Sequence, residues 1–174
     1  MATVTFIKYK RQTGGTLRSV AQYVSQAKKT VAQTGHPLAS GLNCTPRLAA
    51  QEFIATRTTH RKNSPVWFYH YVQSFSPEEK ITGEQVHRLA KEFAARAWPC
   101  NEVLITTQLD AAHCHTHFIV NSVCYGTGRM LRQGPDTLRA LRQMSDELCM
   151  KYGFSVLPRE QGKNRTHGMD GREY

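Results

Sequence analysis

Asp110-Ala-Ala-His113-Cys114-His115-Thr116-His117-Phe118-Ile119-Val120-Asn121 is the stretch on which the reading of this chain turns. Three histidines stand at i, i+2 and i+4, followed by an apolar run rich in strand formers. Successive side chains of a strand point to opposite faces, so a strand here puts all three imidazoles on one side and Cys114 on the other, toward a core. Imidazole is a ligand for Zn, Mn, Ni and Fe, and a row of imidazoles leaves coordination positions for a substrate. The plain alternative is a solvated histidine-rich strand. Three of the chain's eight histidines fall within these five positions, and any protonated ring would repel its neighbours, which favours the metal.

Working outward, Val103 to Gln108 reads as a strand that pairs antiparallel with the histidine strand through a short turn. Pro65 to Phe75 is a longer strand, dense in aromatic and branched residues, and Thr3 to Tyr9 alternates as a first one. Helical period appears four times. Thr16 caps Leu17, Val20, Ala21 and Val24; Thr45-Pro46 opens a helix to about Thr58; Thr82 caps Leu89, Phe93 and Ala97, ended by Pro99; Pro135-Asp136 starts Leu138, Leu141, Ser145 and Leu148. Gly35-His36-Pro37 and Gly41 mark a loop, and Phe154 to Leu157 reads as a last short strand. The class is α+β, a central, largely antiparallel sheet flanked by helices.

The 174 residues suit one domain. It spans residues 1–157; from 158 to 174 the sequence turns polar, basic and Gly-bearing, as in a tail or the start of a linker to a further C-terminal region. No apolar run approaches the ~20 residues of a membrane span, and no secretory signal is visible, so a cytoplasmic protein without membrane contact is expected. Five cysteines, an odd number without C-x-x-C spacing, fit reduced thiols. Lys and Arg exceed Asp and Glu by 23 to 13, a formal net charge of +10. The basic residues gather at Lys8, Lys10, Arg11 and Arg18, at Lys28 and Lys29, at Arg57, Arg61 and Lys62, and at Arg129, Arg132, Arg139 and Arg142. With a metal site, that excess points to nucleic acid.

The motifs resemble those of conjugative relaxases, the mobilisation nucleases of the HUH endonuclease superfamily. The likeness is to the MobP type, which includes the T-DNA border endonuclease and the relaxases of integrative conjugative elements. His115-Thr116-His117 with Phe-Ile-Val-Asn121, and Asp110 five residues before His115, is similar to the family's third motif. Tyr71-Val72-Gln73-Ser74-Phe75 is similar to the second. Ser19-Val-Ala-Gln-Tyr23-Val24, followed by Lys28-Lys29-Thr30, is similar to the first, where the family keeps its nucleophilic tyrosine. Order and spacing agree from about residue 3 to residue 157.

The resemblance implies a reaction. A tyrosine hydroxyl attacks one phosphodiester of single-stranded DNA at an origin of transfer, leaving a 5′-phosphotyrosine and a free 3′-hydroxyl. It implies Tyr23 as nucleophile and Ser74 at the DNA, beside which Asp110 is expected to orient a histidine ring by accepting its N–H or else to be a turn residue of the hairpin, Gln73 to end the strand with Ser74 toward the DNA, Asn121 to bond DNA or a ligand histidine, and Arg61, Lys62, Lys10 and Arg11 to be basic contacts. It implies a divalent ion, Mn²⁺ or Mg²⁺ foremost and Zn²⁺ or Ni²⁺ as alternatives. Single-stranded and hairpin origin DNA, accessory relaxosome proteins and a type IV coupling or secretion system are the implied partners. The implied location is the bacterial cytoplasm, with transfer to a recipient cell on the DNA. By spacing alone Tyr23 could be core, and Tyr9, Tyr69, Tyr71, Tyr125, Tyr152 and Tyr174 compete with it.

One position departs from the family pattern. Gln108-Leu109-Asp110 stands where the family has His-x-Asp. His113, in phase with His115 and His117, is expected to take the third ligand place, with Gln108 as the alternative, a weaker donor to a borderline metal. Two other functions compete. A rolling-circle initiator or single-tyrosine transposase of the same superfamily would place its tyrosine after the histidines. A non-catalytic metal-stabilised nucleic-acid binder would bind without cleaving.

Overall fold

A computed structural model describes residues 1–30, 35–109 and 113–158 and the pair 169–170, with backbone only at 27–28 and 169–170. Its sheet is assembled in the order β2-β4-β5-β3-β1-β6, from β1 (Ala2–Lys8), β2 (Ala39–Leu42), β3 (Phe68–Phe75), β4 (Asn101–Leu109), β5 (Cys114–Cys124) and the two-residue β6 (Met169–Asp170). Five strands pair antiparallel; β6 alone runs parallel, beside β1. The α+β class and the antiparallel sheet flanked by helices are as expected. Most of residues 158–174 lie outside the described residues.

The two sheet faces are covered differently. α4 (Gly83–Ala97) and α5 (Pro135–Lys151) pack Val86, Leu89, Phe93, Leu141 and Leu148 onto Val4, Tyr71, Val103, Ile105, Phe118 and Val120. α1 (Gly14–Val24) and α3 (Ala49–Thr59) pack Leu17, Val24, Ala50 and Phe53 onto Phe68, Leu104 and Ile119. Side-chain alternation thus gives β3, β4 and β5 a core on each side, which their near-continuous burial requires. A short α2 (Ala27–Thr30) follows α1.

Several local expectations shift. α1 begins at Gly14, and its cap is Thr13: the Thr13 hydroxyl accepts from Thr16 N (3.1 Å), and the Thr16 hydroxyl accepts from Thr13 N (3.2 Å). This reciprocal box holds the first turn, so Gly14 and Gly15 are helical. Residues 46–48 form a 3₁₀ turn before α3 begins. Residues 154–157 form no strand; Phe154 and Val156 pack on the core from irregular backbone, and Ser155 N donates to Glu79.

The stretch read as a loop around Gly41 contains β2, an edge strand with Leu42 opposite Val103. Its Ala-Ser-Gly-Leu sequence has little intrinsic strand preference and is ordered by pairing with β4. A Cβ on Gly41 would stand 1.9 Å from the Cys44 carbonyl oxygen, which is backbone and cannot yield cheaply. Gly41→Ala is expected to cost about 2–3 kcal/mol or more, checked by urea denaturation.

On the α4 side a line of polar side chains crosses the sheet. The Ser40 hydroxyl meets His87 Nε2 at 2.8 Å, His87 Nδ1 meets the Thr107 hydroxyl at 2.9 Å, and Thr107 meets Thr116 at 2.8 Å. Burial, with Lys91 nearby, pushes the His87 pKa down to about 4, so the ring is neutral near pH 7.

Candidate active site

Strand register assembles the site. Gln108 of β4 and Ser74 of β3 both lie opposite His115 of β5; Thr106 and Val72 lie opposite His117. His115, His117, Gln108, Ser74 and His70 therefore share the face that α1 covers. The His115 and His117 rings are 5.1 Å apart between centroids, and both residues are buried. His115 Nε2 is 3.0 Å from Gln108 Oε1, while Gln108 Nε2 donates to the Val24 carbonyl at 3.1 Å. That second bond fixes the amide, carbonyl oxygen toward the imidazole. His117 Nδ1 is 2.8 Å from His70 Nε2, and His70 Nδ1 is 2.8 Å from the Tyr9 hydroxyl.

Val24 ends α1, so its bond to Gln108 brings the C-terminal turn of that helix onto the histidine face. Tyr23 is the residue before it. Lys29 Nζ lies 3.4 Å from the Tyr23 hydroxyl and 4.7 Å over its ring. Burial holds the His117 pKa well below its ordinary value, and His70, His115 and the Lys29 ammonium lower it further. Lys29 thus acts electrostatically on His117 while it touches Tyr23. Burial brings His70 down to about 3 and raises Tyr9 to about 12. His70 and His117 are neutral at pH 7, as a metal-binding imidazole must be.

The donor chemistry fits a divalent ion. Gln108 Oε1 stands 3.0 Å from His115 Nε2, a hydrogen-bonding distance that sets an amide oxygen beside an imidazole nitrogen. The set is mixed: its two imidazoles suit Zn²⁺ or Ni²⁺, while the amide oxygen with waters suits Mn²⁺ or Mg²⁺. Among the described residues no three His, Cys, Asp or Glu side chains gather as a metal requires; what the sheet brings together is His115, His117 and Gln108. His113 is exposed and precedes the first residue of β5, its ring 5.3 Å from that of His115. Asp110 lies outside the described residues.

Two expected DNA contacts are placed elsewhere. Gln73 is fully buried on the opposite sheet face, where its amide donates to the Ser145 hydroxyl of α5 at 2.7 Å; alternation sends it away from Ser74. Asn121 is 1% exposed. It donates to Glu102 (2.7 Å) and accepts from Val123 N (3.2 Å), so its polar atoms serve the interior. Ser74 stays on the histidine face, half-buried. Lys10, Arg11 and Arg61 are exposed and Lys62 is half-buried. Lys10 and Arg11 sit at the end of the sheet where β3 begins, since Gln12 bonds the backbone of Trp67 and Phe68, and Arg61 and Lys62 follow α3, whose Arg57 bonds the Val66 carbonyl beside that end. That is roughly 20 Å along the strand from Ser74. His70 was not among the expected site residues, and Tyr9 stood only as a rival to Tyr23. The signal for His70 was its phase with Ser74 on one strand.

Glu102 gives a pH signature. It is 5% exposed, with Asn121 and the Thr56 hydroxyl donating to it (2.7 and 3.0 Å). Burial raises its pKa. Between the ordinary carboxylate pKa and the raised one, the folded state keeps a proton that the unfolded chain has lost, so stability falls as pH rises through that window. Glu102→Gln, which carries no charge, is expected to flatten this fall in a series of thermal melts. An unchanged slope would remove Glu102 as its source.

Comparison with known proteins is consistent with this geometry. The family model described as "Relaxase: MobA/VirD2-like, nuclease domain" matches residues 23–154. A Staphylococcus aureus protein named rlx is 31% identical over 148 residues, covering 85% of this chain and 43% of that protein. The group II intron-interrupted relaxase LtrB of Lactococcus lactis subsp. cremoris (strain MG1363) is 25% identical, over 85% of this chain and 33% of its own length. The chain thus spans less than half of the curated relatives it matches. Among solved structures, the MobM relaxase domain bound to plasmid pMV158 oriT DNA, with Mn bound, superposes at a TM-score of 0.61 over 95% of both chains with 12% identity, a likeness of fold. A match over most of the chain, with sequence relatives of the same kind, assigns this protein to the MobA/VirD2-like relaxases, over their nuclease domain.

Proposed function

We propose that this domain nicks and rejoins one strand of DNA at an origin of transfer by tyrosine transesterification, initiating conjugative transfer of a plasmid or integrative element. The observation that carries the proposal is the Val24–Gln108 bond, which brings the Tyr23 end of α1, with Lys29 of α2 beside it, onto the face of His115 and His117. Tyr23 Oη attacks the scissile phosphorus as its proton passes to solvent water, which in turn supplies the proton for the leaving oxygen. The new bond is P–O(Tyr23), the broken one is P–O3′, and the leaving oxygen is protonated to the 3′-hydroxyl. Lys29, a cation beside the Tyr23 hydroxyl, stabilises the phenolate. His115, His117 and the Gln108 carbonyl oxygen would hold a divalent ion, Mn²⁺ or Mg²⁺ foremost, with His113 at the rim as the competing third ligand. When bound, the ion supplies charge neutralisation at the non-bridging phosphate oxygens. Ser74 lies where DNA would pass, and Asp110 is retained as the residue that orients a ligand ring.

Support for Mn²⁺ and for origin DNA comes from the MobM structures, which hold both. The partners proposed are single-stranded and hairpin origin DNA, accessory relaxosome proteins and a type IV coupling system. The proposed location is the cytoplasm, with passage to the recipient on the DNA; among the described residues no helix is long and apolar enough to cross a membrane. The rival tyrosines are badly placed for a superfamily member that uses one after the histidines. Tyr125 follows the far end of β5, and Tyr152 bonds Glu92 on the α4 side. Incubation with single-stranded origin DNA and Mn²⁺ or Mg²⁺, followed by mapping of the DNA-linked peptide, tests the proposal. Attachment at Tyr125 or Tyr152 would favour the replication or transposition reading, and binding without cleavage the non-catalytic one.

The net charge of +10 makes a second expectation. Affinity for single-stranded DNA should fall steeply with salt, with a log–log slope of about −0.7 per phosphate neutralised, measured by fluorescence anisotropy. A salt-insensitive affinity would count against the basic surface.

A further inference from the structure

Tyr9, His70 and His117 form a hydrogen-bonded chain whose direction bears on the metal end. Both contacts are 2.8 Å, Tyr9 Oη to His70 Nδ1 and His70 Nε2 to His117 Nδ1. The rings of Tyr9 and His70 stack at 6.0 Å with 18° between their planes. His70 is 2% exposed and His117 0%, so no bulk water competes for these nitrogens.

A neutral imidazole carries one N–H and one lone pair. The chain can therefore run in only two ways. If Tyr9 donates to His70, then His70 Nε2–H donates to His117 Nδ1, and the proton of His117 sits on Nε2, where it blocks coordination. If His117 Nδ1–H donates to His70 Nε2, then His70 Nδ1–H donates to the Tyr9 oxygen, and the Nε2 lone pair of His117 is available. That nitrogen is buried and takes no part in the bond to His70. Tyr9 can terminate either direction because a hydroxyl both accepts and donates.

We propose that Tyr9 and His70 are positioning residues that hold His117 as its Nδ1–H tautomer, with Nε2 ready for a metal ion. The proposal rests on the metal reading of His115 and His117 given above. Tyr9 matters as an acceptor: a phenylalanine would leave His70 Nδ1–H buried without a partner, drive that proton to Nε2, and turn His117 to the tautomer that cannot bind through Nε2. Neither residue touches DNA or metal in this scheme.

Two measurements on Tyr9→Phe test it. In metal-free protein, long-range ¹H–¹⁵N correlation spectra report the tautomer of each histidine directly. Wild type is expected to show Nδ1–H on both His117 and His70, and Tyr9→Phe to show Nε2–H on both. By calorimetric titration Mn²⁺ should bind Tyr9→Phe about 10- to 100-fold more weakly than wild type, the usual size of an outer-partner effect. His70→Asn, which keeps a polar group at the position, should reproduce the loss of affinity if it folds, as judged by its melt. Nε2–H on His117 in the wild type overturns the proposal. So does a Tyr9→Phe protein that binds Mn²⁺ within twofold of wild type, and in that case the metal reading stands. Wild type that shows the expected tautomers but binds no Mn²⁺ instead removes the metal reading, and the positioning role with it.

Discussion

Tyr23→Phe is expected to abolish the covalent protein–DNA adduct, lowering nicking by at least about 1000-fold, or ~4 kcal/mol of transition-state stabilisation, while leaving DNA affinity within a few-fold. The ring is half-buried against the α1–α3 core, and phenylalanine preserves that packing. The change therefore removes only the oxygen that Lys29 Nζ approaches. Denaturing gels with labelled origin DNA read the adduct directly. A surviving adduct refutes Tyr23, and peptide mapping of it then names the true nucleophile. Lys29→Met should retain DNA binding and lose part of the rate, because the phenolate loses the cation that lies 3.4 Å from its oxygen.

His115→Ala or His117→Ala is expected to remove tight Mn²⁺ binding and, with it, strand cleavage. Both side chains are buried in the centre of the sheet, so each variant also needs a thermal melt to separate loss of metal from loss of fold. Position 108 gives the sharper comparison. Gln108 places its oxygen beside His115 Nε2, whereas His113 is exposed at the strand's entry. Gln108→His should tighten Mn²⁺ or Zn²⁺ binding about tenfold or more, because imidazole outcompetes an amide oxygen for such ions. His113→Ala should cost less than Gln108→Ala. The reverse ranking in a metal titration would restore His113 as third ligand.

Much of this architecture was legible because it rests on period. The two-residue alternation from His113 to Asn121 placed the imidazoles on one face and Cys114 on the other, and in β5 Cys114 does pack against the core opposite His115. Helical stripes and the Thr82 cap were equally local signals. What escaped was set by partners distant in sequence. β2 becomes a strand only beside β4. Asn121 lies on the face expected of it, but Glu102 and the β5 backbone occupy its polar atoms. Gln73 and Ser74 form one motif on paper, yet a strand sends adjacent residues to opposite sides, so only Ser74 lies on the histidine face. The bond between His70 and His117 depends on β3 pairing with β5, across 47 positions.

The line from Ser40 through His87 and Thr107 to Thr116 lies on the back of the sheet, yet it governs the front. Thr107 pairs with Thr116 in the same register that sets Gln108 against His115. Sliding β4 by one residue would turn Gln108 inward and Thr107 outward, dismantling the donor set and the hydroxyl line together. The hidden threonines thus serve as an alignment key: a misthreaded hairpin leaves buried hydroxyls unmatched, a penalty of about 1–3 kcal/mol for each. A molecule that has folded correctly enough to satisfy its interior is thereby also one whose cutting face is assembled, so quality control of the fold doubles as quality control of the chemistry.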